Sequence, residues 1–233
     1  MQAAIYIDTR PGISAPAMGL AAGAAITTIL LLAGLHILSP EFDPSWRVVS
    51  EYANGGYGWV LSLMFAAWAL SSGALAFGLW PQVETRTGRI GLYFLAASGA
   101  GEAMASVFDI NSHPMHDLAG ALGIPTMVVA ALLISASLCR LQPWCAGKTA
   151  VRWTCHLIWI SLVLFIAAMV ILVVTFHRAG GHMSAHLNQL PHGVIAFDGW
   201  ANRLYVVTCC VWVITVAGLA LPRPQRRPTM RAV

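Results

Sequence analysis

Long apolar runs alternate with short polar segments along this chain. Residues 15–38 and 57–80 contain no Asp, Glu, Lys or Arg, and each run is long enough to cross a bilayer as a helix. The four further apolar runs hold at most two charged residues each. This pattern predicts six membrane-spanning helices, at residues 15–38, 57–80, 89–108, 116–139, 153–176 and 200–221.

Composition agrees with a membrane location. Hydrophobic residues make up 58% of the chain and charged residues only 9%, whereas a soluble protein needs far more charge on its surface. The net charge of +4 does not indicate nucleic-acid binding, because no basic stripe is interleaved with aromatic residues. We therefore predict an all-α fold, a polytopic transmembrane bundle of six helices in the lipid bilayer, with residues 1–233 forming a single domain.

Lysine and arginine positions predict the orientation of the bundle. With both termini in the cytoplasm, the inner segments hold ten basic residues and the outer segments hold three. This bias is typical of multi-pass proteins, whose cytoplasmic loops are enriched in Lys and Arg. The sequence thus predicts a multi-pass protein of the cell (inner) membrane with cytoplasmic N and C termini.

In this orientation, most titratable side chains fall on the outer side. Seven of the eight histidines and six of the nine acidic residues lie at or beyond the outer ends of the helices. We therefore expect any chemistry to occur there.

Glu102 is the acidic residue that lies deepest within a predicted span. Asp109 follows it two turns later on the same helix face. An acid inside a membrane span is costly and faces a partner or a water-filled cavity. Glu102, Asp109 and Glu51 are the candidate catalytic residues, as general acids or bases. The alternative for Glu102 is a buried, hydrogen-bonded group that stabilises the bundle.

The turn at 109–117, between the third and fourth helices, is rich in possible metal ligands. Imidazole together with carboxylate suits zinc or another divalent metal. The alternative is a capping role, in which polar residues close the turn and its last aspartate interacts with the positive end of the next helix. The candidate ligands are Asp109, His113, His116 and Asp117.

A second histidine pair lies in the 178–197 loop. His182 and His186 have the spacing that places two rings on one helical face, as in helix-borne zinc pairs. No Glu follows His182, so the zincin motif is absent. The alternative, which the sequence favours, is a solvated loop whose histidines titrate freely.

Arg203 opens the sixth helix and needs a partner at membrane depth. Glu51, Asp109 and Glu102 are the acids that could pair with it in a structural network. The other interpretation is a clamp on a phosphate or carboxylate ligand. The candidate ligand-binding residues on this side are Ser50, Asn54, Asn111 and Arg203.

Two short motifs carry a resemblance to a known family. Ser-Pro-x-Phe-Asp-Pro at 39–44 and Ser-Glu-Tyr-x-x-Gly at 50–55 resemble the signature of the bacterial and archaeal membrane family called domain of unknown function 998. The resemblance implies a six-span bundle with functional positions at Ser50 and Glu51, at Asp109 and His116, and at Arg203. It also implies a Glu-Arg pair before the sixth span, where this chain has Asn202-Arg203. The family name implies a fold and no activity.

A weaker similarity is to the seven-span membrane hydrolases of the alkaline ceramidase and adiponectin receptor type. Those proteins combine Ser, Asp and three His around zinc within the bilayer. This chain has six predicted spans, and its histidines lie in loops, so the similarity is an analogy only. The residues that could imitate the set are Ser50, Asp109, His116, His182 and His186.

Two functional hypotheses therefore stay open. In the first, the outer polar residues bind a divalent metal, a small polar ligand or a lipid headgroup, as in a metal-dependent hydrolase acting on an outer-leaflet lipid. In the second, the protein is a non-catalytic subunit of a membrane complex or a small transporter, and the polar residues form a structural network. Whether the protein is an enzyme is left open.

Overall fold

The computed structural model describes residues 14–180 and 189–221. Within them the chain is helical, without strands, and all six α-helices are long and apolar enough to cross a membrane. The predicted all-α, six-helix membrane fold is confirmed, with helix ends within five residues of those predicted. The helices are α1 Ala15–Leu38, α2 Gly58–Leu79, α3 Arg86–Val107, α4 Met115–Leu138, α5 Lys148–Arg178 and α6 Asp198–Ala220. Two 3-10 helices, Val49–Asn54 and Gln142–Gly147, lie in the connections.

Local sequence explains where several helices begin. The Ser14 hydroxyl accepts a hydrogen bond from the Ala17 N–H at 3.3 Å, and Pro16 lies in the first turn of α1. The Thr85 hydroxyl accepts from the Gly88 N–H at 3.1 Å at the start of α3. Both contacts satisfy backbone donors that a helix N-terminus otherwise leaves free.

The six helices pack in a ring in chain order. Successive helices are neighbours from α1 to α4, α5 packs on α6, and α6 returns to α1. Only a light contact joins α4 to α5. α6 is the most buried helix, whereas α5 presents most of its apolar side chains outward.

Small residues bring α3 and α4 into backbone contact. A Cβ atom at Gly101 would lie 2.5 Å from the Gly123 nitrogen and 2.7 Å from the Ala119 carbonyl oxygen. Only glycine allows so close an approach. As a result Glu102, the next residue, lies directly beside α4.

The bundle has two ends with different chemistry. The Arg203 end comprises the segments 39–57 and 108–114 and the start of α6. The Arg140 end comprises the segments 80–85 and 139–147 and the start of α5. That the Arg140 end and both termini are cytoplasmic stays a prediction, as does the single domain.

Candidate functional site

A cavity of about 220 Å³ opens beneath the 49–54 3-10 helix, between helices α2 to α6. Most of its wall is apolar and includes Phe65, Phe165 and Met169. A few polar side chains interrupt this wall, an arrangement typical of sites that bind small apolar or amphipathic molecules. The polar residues on the wall are Ser50, Glu102, His116, Asn202 and Tyr205.

Glu102 is the buried acid of this cavity, with 5% of its surface exposed. Its carboxyl oxygens lie 2.8 Å from the Ser72 hydroxyl and 3.1 Å from the Ser98 hydroxyl. The Ser98 hydroxyl also lies 3.0 Å from the Gly123 carbonyl oxygen. Since Ser98 has one proton for two acceptors, all these groups are satisfied when Glu102 carries a proton and donates to Ser98. Because Ser98 takes that proton, the buried carboxyl group can accept a hydrogen bond from a ligand on its remaining lone pairs.

His116 reaches the same cavity from the first turn of α4. Its Nδ1 lies 2.9 Å from the Phe108 carbonyl oxygen, which can only accept a hydrogen bond. Nδ1 therefore carries a proton, and in the neutral ring Nε2 keeps its lone pair. Nε2 has no hydrogen-bond partner in the described parts of the chain, so His116 can accept one from a ligand.

Asn202 and Tyr205 fix the cavity from the α6 side. The Val49 N–H donates to Asn202 Oδ1 at 2.9 Å, which ties the 3-10 helix carrying Ser50 to α6. The Tyr205 hydroxyl donates to the Ile124 carbonyl oxygen at 2.8 Å and ties α6 to α4. Both side chains therefore line the cavity and also hold its surrounding helices together.

Arg203 is buried beside this cavity, with 4% of its surface exposed, and does not line it. Nη1 donates to the carbonyl oxygens of Arg47 and Gly199 at 2.6 and 2.9 Å. Nη2 donates to the Tyr52 hydroxyl at 2.9 Å, and Nε to His36 Nε2 at 3.2 Å. Four neutral acceptors from α1, the 39–57 segment and α6 therefore hold the guanidinium.

The prediction that Arg203 pairs with a carboxylate was wrong. Glu51 pairs with Arg47, at 2.5 Å between Oε2 and Nη1, and its Oε1 accepts from the Val48 N–H at 3.3 Å. The 3-10 helix therefore turns the Glu51 side chain toward residues that precede it in the same segment, Arg47 and Val48. No acid within the described residues forms an ion pair with Arg203, so the predicted charge-paired network between helices is absent there.

His36 and Tyr52 complete this cluster, and sequence reasoning missed both. Because His36 Nε2 accepts from Arg203, the proton of the neutral ring lies on Nδ1, which faces the Tyr52 oxygen at 3.3 Å. The His36 ring stacks on Trp200 with 5.7 Å between ring centroids. A histidine in the last turn of an apolar span and a tyrosine within the 50–55 motif were the available signals.

The turn between α3 and α4 forms a separate polar cluster on the surface. Asp109 Oδ1 accepts from the Ser112 hydroxyl at 2.9 Å and from the Asn111 N–H at 3.0 Å. The Ser112 bond first, and then those from Asn111, lower the pKa of the exposed Asp109 carboxyl group below its usual value. Asn111 Nδ2 donates to Asn54 Oδ1 at 2.8 Å and so joins this turn to the 3-10 helix.

A protein-family model matches most of the chain. The model described as "Protein of unknown function (DUF998)" matches residues 20–219. The chain belongs to this family. No curated protein and no solved structure matches the chain.

In this DUF998 protein the 39–44 and 50–55 motifs build the segment that covers the Arg203 end. Asp43 Oδ1 accepts from the Ser45 N–H at 2.9 Å, and a Cβ atom at Gly55 would lie 2.8 Å from the Phe42 ring. The Gly199 N–H donates to the Ser45 carbonyl oxygen at 3.2 Å, which fixes the segment on the start of α6. The motifs thus place Tyr52 on Arg203 and Ser50 on the cavity.

The described residues of the DUF998 protein contain no group of three His, Cys, Asp or Glu side chains placed to hold a metal ion. His113 Nδ1 pairs with Asp117 Oδ2 at 2.8 Å, and both side chains are more than 60% exposed. His116 points instead toward Phe108. His182 and His186 lie outside the described residues, so the zinc site and the hydrolase analogy stay predictions.

The predicted site residues of the DUF998 protein therefore divide among three places. The cavity receives Ser50, Glu102 and His116. Arg203 lies in the neighbouring buried cluster, and Glu51 pairs beside it with Arg47. The surface turn holds Asp109, Asn111 and His113 and reaches Asn54.

Sequence reasoning also missed Trp68 and Tyr205, which look like ordinary bundle residues. The buried Trp68 indole N–H has no hydrogen-bond partner in the described structure, and its ring forms part of the cavity wall. An unpartnered buried donor is unusual in folded proteins.

Proposed function

We propose that this DUF998 protein binds an amphipathic, lipid-like ligand within the bilayer. The apolar part of the ligand occupies the cavity between helices α2 to α6, and its polar group meets Glu102. The observation that carries the proposal is the buried Glu102 carboxyl group on the wall of a largely apolar cavity.

Polar groups decide which ligand this cavity selects. The bilayer is itself apolar, so contact of an apolar chain with Phe165 or Met169 gives little preference over surrounding lipid. Hydrogen bonds made away from water discriminate far better, because a ligand that lacks the matching group leaves buried polar atoms unpaired. Glu102 can accept a hydrogen bond on its remaining lone pairs, and His116 Nε2 can accept one as well. A hydroxyl group or amide at the head of the ligand satisfies this combination.

The seam between α4 and α5 offers the ligand a route from the membrane. These two helices make only a light contact, and both contribute to the cavity wall. Gly120 of α4 lines the cavity, and a Cβ atom there would meet no other atom within 4 Å. The wall at this point is open space that a ligand can fill.

A structural role belongs to the Arg203 cluster rather than to the cavity. Its guanidinium is held by backbone and side-chain acceptors from three segments, and it does not reach the cavity. For the Arg203 cluster, this observation favours the hypothesis that the polar residues form a structural network. No hydrolytic step is proposed, because within the described residues Ser50 has no hydrogen bond to His116 or Glu102 that would activate its hydroxyl.

Filling the cavity tests the proposal. Gly120→Leu places an isobutyl group in the open space. We expect the purified protein to lose those co-purifying molecules of the wild type that carry a hydroxyl group or amide at the head. The measurement is native mass spectrometry of protein extracted in mild detergent, followed by identification of the released molecules.

Gly23→Leu is the matched control. Gly23 lies on the exposed face of α1, and a Cβ atom there also meets nothing within 4 Å, so this variant adds the same bulk outside the cavity. We expect it to retain the wild-type ligand set. Retention of that set by Gly120→Leu as well would refute binding in the cavity. Glu102→Leu, which removes the carboxyl group, is expected to change the polar group of the retained molecules.

A further inference from the structure

A second cavity, of about 580 Å³, lies at the opposite end of the bundle. It is bounded by the end of α4, the 139–147 connection and the first turns of α5. Three basic residues and one histidine contribute to its lining: Arg140, Lys148, Arg152 and His156. This cavity is separate from the Glu102 cavity and shares no lining residue with it.

Within the described residues, no acid balances the positive charge of this second cavity. None of Arg140, Lys148 and Arg152 forms an ion pair with an acid in the described ranges 14–180 and 189–221. No Asp or Glu lines the cavity. The three positive charges around this cavity repel one another unless a bound anion neutralises them. Arg140 and Arg152 are also exposed, so an anion from outside can reach them.

His156 adds a directed donor to these charges. Its Nδ1 accepts a hydrogen bond from the Trp159 indole N–H at 2.9 Å. In the neutral ring, the proton therefore lies on Nε2. Since Nε2 has no partner among the described side chains, it can donate to an oxygen of an anionic ligand.

The lining continues from this charged region onto an apolar, membrane-facing surface. Leu132 and Ala136 of α4 belong to the same cavity. Leu132 is 38% exposed, and Leu157 on α5 is 43% exposed. Trp153, 66% exposed, stands at the level of the basic residues, where aromatic side chains are enriched at membrane interfaces. A ligand here meets positive charge at one end and hydrocarbon-compatible surface at the other.

We propose that this cavity binds the phosphate-bearing headgroup of an anionic phospholipid, whose acyl chains lie against α4 and α5. Arginine side chains bind phosphate oxygens through paired N–H donors, and Lys148 adds a point charge. Basic pockets between membrane helices are suited to anionic headgroups. A free phosphate anion shares this charge chemistry, but it makes no use of the apolar surface.

Native mass spectrometry with added lipid tests the proposal. Delipidated protein is titrated with phosphatidylglycerol, with phosphatidylcholine and with inorganic phosphate. We expect phosphatidylglycerol to bind more tightly than phosphatidylcholine, and the Arg140→Gln/Arg152→Gln variant to lose affinity for it by about fivefold per arginine removed. Binding of inorganic phosphate as tight as that of phosphatidylglycerol would overturn the lipid assignment.

The Arg86→Gln/Arg89→Gln variant is the matched control. It removes the same charge at the same end of the bundle, from the start of α3, and neither residue lines the cavity. We expect it to bind phosphatidylglycerol like the wild type. An equal loss in both double variants would show a general charge effect and overturn the site. Because Arg86, Arg140 and Arg152 are exposed and Arg89 is half-buried against Trp80, circular dichroism of each variant is expected to match that of the wild type.

Discussion

Arg203 is a buried cation that forms no ion pair with an acid among the described residues. Two carbonyl oxygens, a phenol and an imidazole accept four of its five N–H donors. The planar guanidinium reaches all four because its donors point in fixed, divergent directions. Its role follows from this geometry: it joins α1, the 39–57 segment and α6.

Arg203→Lys is expected to loosen the Arg203 end while keeping the charge. The ammonium group has three donors on a single atom and cannot reach acceptors spread around a guanidinium, so buried acceptors lose their partners at about 1–3 kcal/mol each. We expect a clear fall in the thermal unfolding temperature of the protein in detergent, measured by circular dichroism. Arg178→Lys, at the exposed end of α5, is the control and should leave that temperature unchanged. An unchanged temperature for Arg203→Lys would contradict the role of the guanidinium in joining α1, the 39–57 segment and α6.

Residue chemistry was only partly readable from sequence. The cost of an acid inside a span correctly marked Glu102 as a residue that needs partners, and the structure supplies Ser72 and Ser98. The same cost argument assigned an acid to Arg203, and this was wrong. It failed because carbonyl oxygens, a phenol and an imidazole can also satisfy a cation, and no sequence pattern marks where they converge.

At the scale of the elements, the close contact of α3 and α4 positions the Glu102 cavity. Gly101 on α3 lies against the backbone of Gly123 and Ala119 on α4. Ser98 donates across the same interface toward the Gly123 carbonyl oxygen. The separation of α4 from α5 on the other side leaves the space that becomes the cavity.

Gly101→Ala is expected to push α3 and α4 apart. The added methyl group would lie 2.5 Å from a backbone nitrogen, and backbone cannot move aside as a flexible side chain does. Overpacking of this kind costs about 1–3 kcal/mol or more. Thermal unfolding in detergent measures the loss, and Gly120→Ala on the facing helix, where space is open, is expected to be neutral. Equal stability of the two variants would show that the interface tolerates the methyl group.

At the scale of the whole molecule, charge is divided between the two ends. The Arg140 end carries the basic residues of the second cavity, which form no ion pair with a described acid, whereas the Arg203 end carries most of the described acids and histidines. Membrane insertion favours basic segments on the cytoplasmic side. The asymmetry predicts that the Arg140 end faces the cytoplasm.

Cys145 provides a native reporter of this orientation. It is the exposed cysteine of the chain and lies in the 139–147 connection at the Arg140 end, whereas the other four cysteines are buried. A membrane-impermeant maleimide is expected to label inside-out membrane vesicles and to leave right-side-out vesicles unlabelled. Cys145→Ser should abolish the labelling. Labelling of right-side-out vesicles would reverse the predicted topology.

The sequence by itself determined the membrane class, the six helices and their approximate ends, because apolar length and charge content are local properties of the chain. It also marked most of the polar residues at the Arg203 end. Only the tertiary structure decided which of them meet: Ser50, Glu102 and His116 at a cavity, Arg203 with neutral acceptors, and Asp109 on the surface. The physical reason is that helix rotation and helix spacing depend on packing between distant segments. The spacing of Ala97, Gly101 and Ala105 marks a face of α3 that allows close packing, but it does not say that the partner is Gly123 on α4.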